Sequence, residues 1–159
     1  RPIKMYVPYD QISPDARVWI YQSNRAFSSI EKKDIESQLT NLCNNWNTHG
    51  TLLYCSFQIH DWFICLFVDE NKEIASGCSI DSSVAVIKRI ADQYNLDFFD
   101  RMNIAFLDGE ITKIVPLSEF KKQLTDKTLV YNNLVSTKRE YENKWTVPLS
   151  ESWLSKFTD

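Results

Sequence analysis

Glycine is nearly missing: Gly50, Gly77 and Gly109 are the only three in 159 residues. A phosphate loop of the form G-x-x-x-x-G-K-[ST] uses glycine backbone and a lysine to cradle phosphates. None of the three glycines precedes a Lys-Ser or Lys-Thr pair, which excludes nucleotide hydrolysis of that kind. Histidine is scarce too, with only His49 and His60. The four cysteines, Cys43, Cys55, Cys65 and Cys78, show no CxxC spacing and no zinc signature. No metal and no cofactor are expected. A secretory signal and an apolar run long enough to cross a membrane are both lacking, so a cytoplasmic chain with reduced thiols and no membrane span is expected. Cys55 and Cys65 sit in apolar runs, where a thiol behaves as a small hydrophobe.

Positive charge is not in excess. The net charge is −3, and Lys32-Lys33 and Lys121-Lys122 are short pairs that read as solvated helix faces. A broad nucleic-acid surface normally carries a basic stripe, so its absence argues against a nucleic-acid partner.

Aromatic residues, by contrast, are plentiful, with five Trp, seven Tyr and nine Phe. The length suits one domain, 1–159, with a core of its own. Residues 1–16 hold three of the five prolines and read as an extended lead-in. "RVWIYQSN" (17–24) is β-branched and aromatic, which predicts a strand. Ser28 and Glu31 have capping-box spacing, and Ile35, Leu39, Leu42 and Trp46 follow at helical steps, with Gly50 a plausible stop. Residues 53–60 alternate apolar and polar, a strand with one apolar face. His60-Asp61 suits a turn. "WFICLFV" (62–68) is apolar on both faces, as a strand covered on both sides would be. A second helix, capped by Ser79 or Asp81, carries Ile80, Val84, Ile87 and Ala91 and ends near Asn95. Two more strands flank Asp108-Gly109, a strong hairpin signal, and Ser118 is expected to cap a third helix.

This order predicts an α+β fold: a ferredoxin-like split β-α-β core over 17–126, with an extra β-hairpin strand. Such a sheet leaves one face open, yet 62–68 demands cover on both. The aromatic-rich ends are the expected cover, Tyr6 and Tyr9 in front and Tyr131, Tyr141, Trp145, Trp153 and Phe157 behind. The C-terminal segment, 127–159, would then pack on the sheet. A second subunit is the alternative, so monomer and homodimer both stay open.

Chain order also predicts which loops meet. The first helix ends, and the second begins, at one edge, placing Trp46 and His49 beside Ser76, Gly77, Cys78, Ser79 and Asp81. Asp108-Gly109 is expected there as well, and His60 at the opposite end. A cysteine near a helix N-terminus has its thiol pKa lowered. Cys78 as nucleophile, His49 as base and Asp81 or Asp108 as its orienting carboxylate would make a thiol-dependent enzyme. The same residues also serve as an ordinary helix cap or as a site for an anionic ligand through Ser76 and Ser79. At the other edge Gln22, Asn24, Arg25 and Arg101 are candidate binding residues, with Arg25–Asp100 an expected ion pair.

With "RVWIYQSNR", "WNTHG", "ASGCSIDSSV", "DRMN", "NNLVSTKREYENKW" and "VPLSESW" laid out, the chain resembles a family of small uncharacterised bacterial proteins. The resemblance runs from Met5 to about Phe157. Members often carry the label "ABC transporter ATPase", which implies nucleotide hydrolysis. "VDE" (Val68–Glu70) resembles the metal-binding strand end of such enzymes, but the phosphate loop they need is absent. The expectation is therefore a non-catalytic binding or adaptor module for a protein or small ligand. The thiol enzyme is the alternative. An RNA-associated module using aromatics on an open sheet face comes third.

Overall fold

The computed structural model of the chain describes residues 6–48, 50–70 and 75–157; the side chains of residues 48, 51, 52 and 78 lie outside that description. Strand β1 (Arg17–Gln22) is followed by helix α1 (Ser29–Asn45). The predicted capping box is present: Glu31 N donates to Ser28 Oγ at 3.1 Å, and Ser28 N donates to Glu31 Oε1 at 2.8 Å. Two short strands, β2 (Asn47–Thr48) and β3 (Thr51–Leu52), pair around Gly50, whose φ of +84° suits glycine. Strands β4 (Tyr54–Ile59) and β5 (Phe63–Asp69) form a hairpin closed at Ile59↔Ile64, with His60 in its turn.

Helix α2 (Gly77–Tyr94) begins earlier than the sequence suggested. Its cap is Ser76, whose Oγ accepts the Ser79 N–H at 3.2 Å; Ser79 and Asp81 lie inside the helix. Asn95 ends it in the left-handed region at φ 53°, a conformation asparagine tolerates. Strands β6 (Asn103–Asp108) and β7 (Ile111–Pro116) form the expected hairpin, with Gly109 and Glu110 in its loop. Gly109 alone has positive φ (+65°) there, the pattern of a type II′ turn. Helix α3 (Phe120–Gln123) has no side-chain cap, so Ser118 does not play that part. Strand β8 (Leu129–Tyr131), helix α4 (Lys138–Lys144) and strand β9 (Thr146–Pro148) follow.

The fold is α+β, built on two antiparallel sheets of three and four strands ordered β1-β5-β4 and β7-β6-β8-β9, plus the β2-β3 ribbon. The single ferredoxin-like sheet expected from the element order would place β6 beside β1. Instead β6 pairs with β7 and β8. The free edge of β1 meets the C-terminal segment, where Val18 N donates to Ser136 O at 3.0 Å and Arg17 bridges Thr137. The physical reason lies in β5. It is apolar on both faces, and a second sheet supplies the second cover.

On one side Ile64, Leu66 and Val68 pack against Ile35, Leu39 and Leu42 of α1 and Ile87 and Ile90 of α2. On the other, Phe63, Cys65 and Phe67 pack against Ile12, Ala105, Val135 and Tyr141, flanked by Tyr9, Tyr131 and Trp145. The lead-in and the C-terminal segment thus cover the sheet together. Lys138 fastens them: its buried Nζ donates to Tyr9 O at 2.7 Å and Ile12 O at 2.9 Å.

Four expected placements change. Tyr6 joins the helix side, against Phe57. Trp62, expected to open the strand, lies outside β5 and packs on the aromatic side. Trp153 and Phe157 are exposed and face each other, and Leu149 and Leu154 are buried in their place, in a third core cluster on the second sheet. No helix among the described residues is long and apolar enough to cross a membrane.

Candidate functional site

Helices α1 and α2 run antiparallel. Gln38 meets Gln93 at one end, and Trp46 meets Ser79 at the other. Sequence order predicted the second meeting. The Trp46 indole Nε1 donates to Ser79 O at 2.6 Å in a buried bond, and its ring lies 5.9 Å from that of Trp19. A rigid aromatic floor results.

Above this floor is a groove of about 410 Å³, within the roughly 300–1,000 Å³ range of small-ligand sites. Leu42, Trp46 and Val86 supply its apolar surface, and Asn41 and Asn45 at the end of α1 and Asn47 of β2 line it. Ser79, Ser82, Val86 and Arg89 line it from α2; their spacing of three, four and three puts them on one helical face. Ser76, the cap, completes that wall. The amides are ordered by their neighbours. Asn45 Nδ2 donates to Asn41 O at 2.8 Å, and Asn47 Oδ1 accepts the Gly50 N–H at 3.2 Å. Arg89 is exposed and forms no ion pair among the described residues.

Of the predicted catalytic set, His49 and the Cys78 side chain lie outside the described residues. Asp81 is exposed on α2 and does not line the groove. Asp108 is engaged by Lys113 of its own hairpin at 2.6 Å. Cys43, Cys55 and Cys65 are free and buried, and burial pushes the thiols of Cys55 and Cys65 up, away from a thiolate.

At the second predicted edge, Gln22, Asn24 and Arg25 are held in bonds within the chain. Gln22 donates to Asn103 O at 3.2 Å and accepts from Asn133 Nδ2 at 2.8 Å, tying the two sheets together. Asn24 Oδ1 accepts the Asp97 N–H at 3.0 Å. Arg25 does not pair with Asp100. Its guanidinium grips Glu31 with two bonds of 2.9 and 2.8 Å and donates to Tyr94 O at 2.7 Å. The Arg25 bonds, the Ser28 N–H bond and the Arg25 charge together hold the Glu31 carboxyl down at about 2. Asp100 instead accepts from Met102 N and Asn103 Nδ2. Arg101 is exposed.

One concave feature escaped the sequence. At the β4–β5 turn a cleft of about 320 Å³ opens where α1 and both sheets converge. His60, Trp62, Phe63, Tyr131 and Trp145 line it, with Thr112 at its back and Lys32 and Asp61 at its rim. Trp145 is the hub. Its ring lies 4.8 Å from Phe63, 4.9 Å from Tyr131 and 4.8 Å from Tyr141, on which it stacks. His60 Nε2 meets the Tyr141 hydroxyl at 2.5 Å, and that hydroxyl donates to Gln58 Oε1 at 2.6 Å. Burial lowers the His60 pKa, against a smaller opposing pull from Asp61, so the imidazole is neutral at pH 7. Density of aromatic residues was the one available signal, and it carries no positional information.

No family model, curated protein or solved structure matches the chain.

Proposed function

We propose that the chain is a non-catalytic binding module whose α1–α2 groove holds a small polar ligand bearing an anionic group. The observation that carries this reading is the composition of the groove: an apolar floor, three ordered Asn side chains, a serine-rich wall and the exposed Arg89, which forms no ion pair among the described residues. Few convergent polar groups over an apolar base are what small-molecule sites have in common. The positive end of α2 adds to the preference for an anion. Three buried free thiols suit a reducing cytoplasm.

Neither other reading gains support. The thiol enzyme rests on Cys78 and His49, for which no geometry speaks. The RNA-associated module needs an open aromatic sheet face, and Tyr9, Tyr141 and Trp145 cover that face. The test is an NMR titration with inorganic phosphate, succinate and ribose 5-phosphate. Saturable shifts are expected at residues 41–47 and 76–89 for at least one probe, and should vanish in Arg89→Glu. Equal shifts in the variant, or none with any probe, would overturn the assignment.

A further inference from the structure

The cleft at the β4–β5 turn belongs to neither the groove nor the two predicted edges. Its walls are mostly ring systems, and three of them are fixed by one another: Phe63, Tyr131 and Trp145 sit within 4.7–4.9 Å of each other, centroid to centroid. Trp62 differs. It lines the cleft half-buried, stacks on no other ring, and its indole Nε1 has no hydrogen-bond acceptor among the described residues. His60 spends Nε2 on Tyr141 and leaves Nδ1 without a partner among them. The Tyr131 and Thr112 hydroxyls bond each other at 2.8 Å, which leaves acceptor lone pairs on both.

These features select a ligand class. An aliphatic occupant would cover the spare imidazole nitrogen and the hydroxyl pair with nothing to bond them, and unpaired buried polar groups are costly. An organic cation is held best beside an uncompensated carboxylate. Here Asp61 is already held by Lys32, His60 is neutral, and the Lys32 charge at the rim repels cations. A strand of nucleic acid would bring phosphates, and among the described residues Lys32 is the only cation lining the cleft. A flat ring with nitrogens at its edge meets every requirement. It stacks on an indole and offers a partner to His60 Nδ1 and to the Thr112–Tyr131 hydroxyls. The volume, about 320 Å³, lies at the small end of ligand sites and suits one or two fused rings.

We infer that this cleft is a second binding site, which takes a free, uncharged planar nitrogen heterocycle of nucleobase size. The ring stacks against Trp62, and its edge is read by the His60 imidazole and the Thr112–Tyr131 hydroxyl pair. Lys32 and Asp61, joined across the mouth, form its rim. The site is independent of the α1–α2 groove, so the two stand or fall separately.

The experiment follows indole N–H resonances and tryptophan fluorescence of the full chain. The probes are adenine, nicotinamide, cyclohexanol, tetramethylammonium and a short single-stranded oligonucleotide. A saturable response to adenine or nicotinamide, centred on Trp62 and Trp145, is expected. Trp62→Leu should weaken binding by roughly tenfold or more, the loss of one base–aromatic stack. Thr112→Arg fills the cleft from β7 without touching Trp62, and serves where Trp62→Leu does not fold; it should abolish the response. Three results would overturn the inference: no saturable response to either heterocycle, tighter binding of tetramethylammonium or cyclohexanol, or binding of the oligonucleotide without the free base.

Discussion

The two faces of β5 are covered by opposite means. On one, Ile64, Leu66 and Val68 meet aliphatic side chains from two long helices. On the other, Phe63, Cys65 and Phe67 meet rings drawn from both ends of the chain, with Tyr9 hydrogen-bonded to Glu142 across 133 residues. Helical cover comes with a repeating stripe and leaves its groove where the helices part, above Trp46. Ring cover comes from scattered residues whose bulk and fixed shapes leave a cleft beside Trp145. A regular element thus gives a polar groove edged by helix ends. An irregular one gives an aromatic cleft with spare polar atoms.

The largest effects should come from emptying either core. Phe67 is fully buried and meets Tyr9 and Tyr141 edge-on; Phe67→Ala should cost about 3–5 kcal/mol. Leu39, fully buried on the helix side, should cost about 2–5 kcal/mol as Leu39→Ala. Urea unfolding followed by far-ultraviolet circular dichroism and by fluorescence should show one coincident transition in both variants. A helix side that outlasts the aromatic side in Phe67→Ala would mean that the two covers are separable units.

A smaller loss should follow Tyr141→Phe. It removes the hydroxyl that joins His60 Nε2 to Gln58 Oε1, and stranding those groups should cost about 1–3 kcal/mol. Burial of His60 makes the aromatic side acid-sensitive. His60 has a folded pKa below its ordinary 6.5. Its contribution to stability is therefore complete above that value and is lost as pH falls through the lowered folded one. Urea midpoints measured against pH should fall in wild type over this window, and His60→Gln should lack that component.

How much of this was legible follows from the same contrast. Ser28, Glu31, Ile35, Leu39 and Leu42 declared α1 by cap and period, and chain order was enough to bring Trp46 to Ser79. Asp108-Gly109 declared its hairpin. The aromatic side was legible only as a demand: β5 needed two covers. Which rings would answer was not, because Tyr9, Tyr131 and Trp145 follow no period, and Trp153 and Phe157, equally aromatic, stay at the surface. The second sheet was missed because β8 and β9 are three residues each, too short for alternation to register. At Gln22, Asn24 and Arg25 polar side chains looked like a site, yet they bond loop backbone and neighbouring side chains. Residue type alone does not separate those two uses.

The helix side has its own pH dependence, at lower pH. With the Glu31 carboxyl held at about 2 against an ordinary 4.5, its contribution is complete above about 4.5 and is lost as pH falls toward 2. Glu31→Gln should be less stable than wild type at neutral pH, and the gap should close over that lower window. Acid unfolding should therefore pass through two separate components, the His60 one first and the Glu31 one after it, if each side owns its own titrating group.

Ser76→Ala should have the least effect, about 1 kcal/mol, the usual worth of an N-cap side chain. The Ser79 amide loses its acceptor, so its hydrogen exchange should speed up while amides in the middle of α2 stay protected. The Trp46 Nε1 bond to Ser79 O does not pass through the cap, so the groove floor should persist and the Trp46 indole resonance should keep its position. If that resonance moves as far as the Ser79 amide does, the cap and the floor form one coupled unit, and the groove depends on the first turn of α2 rather than on the packing of Trp46.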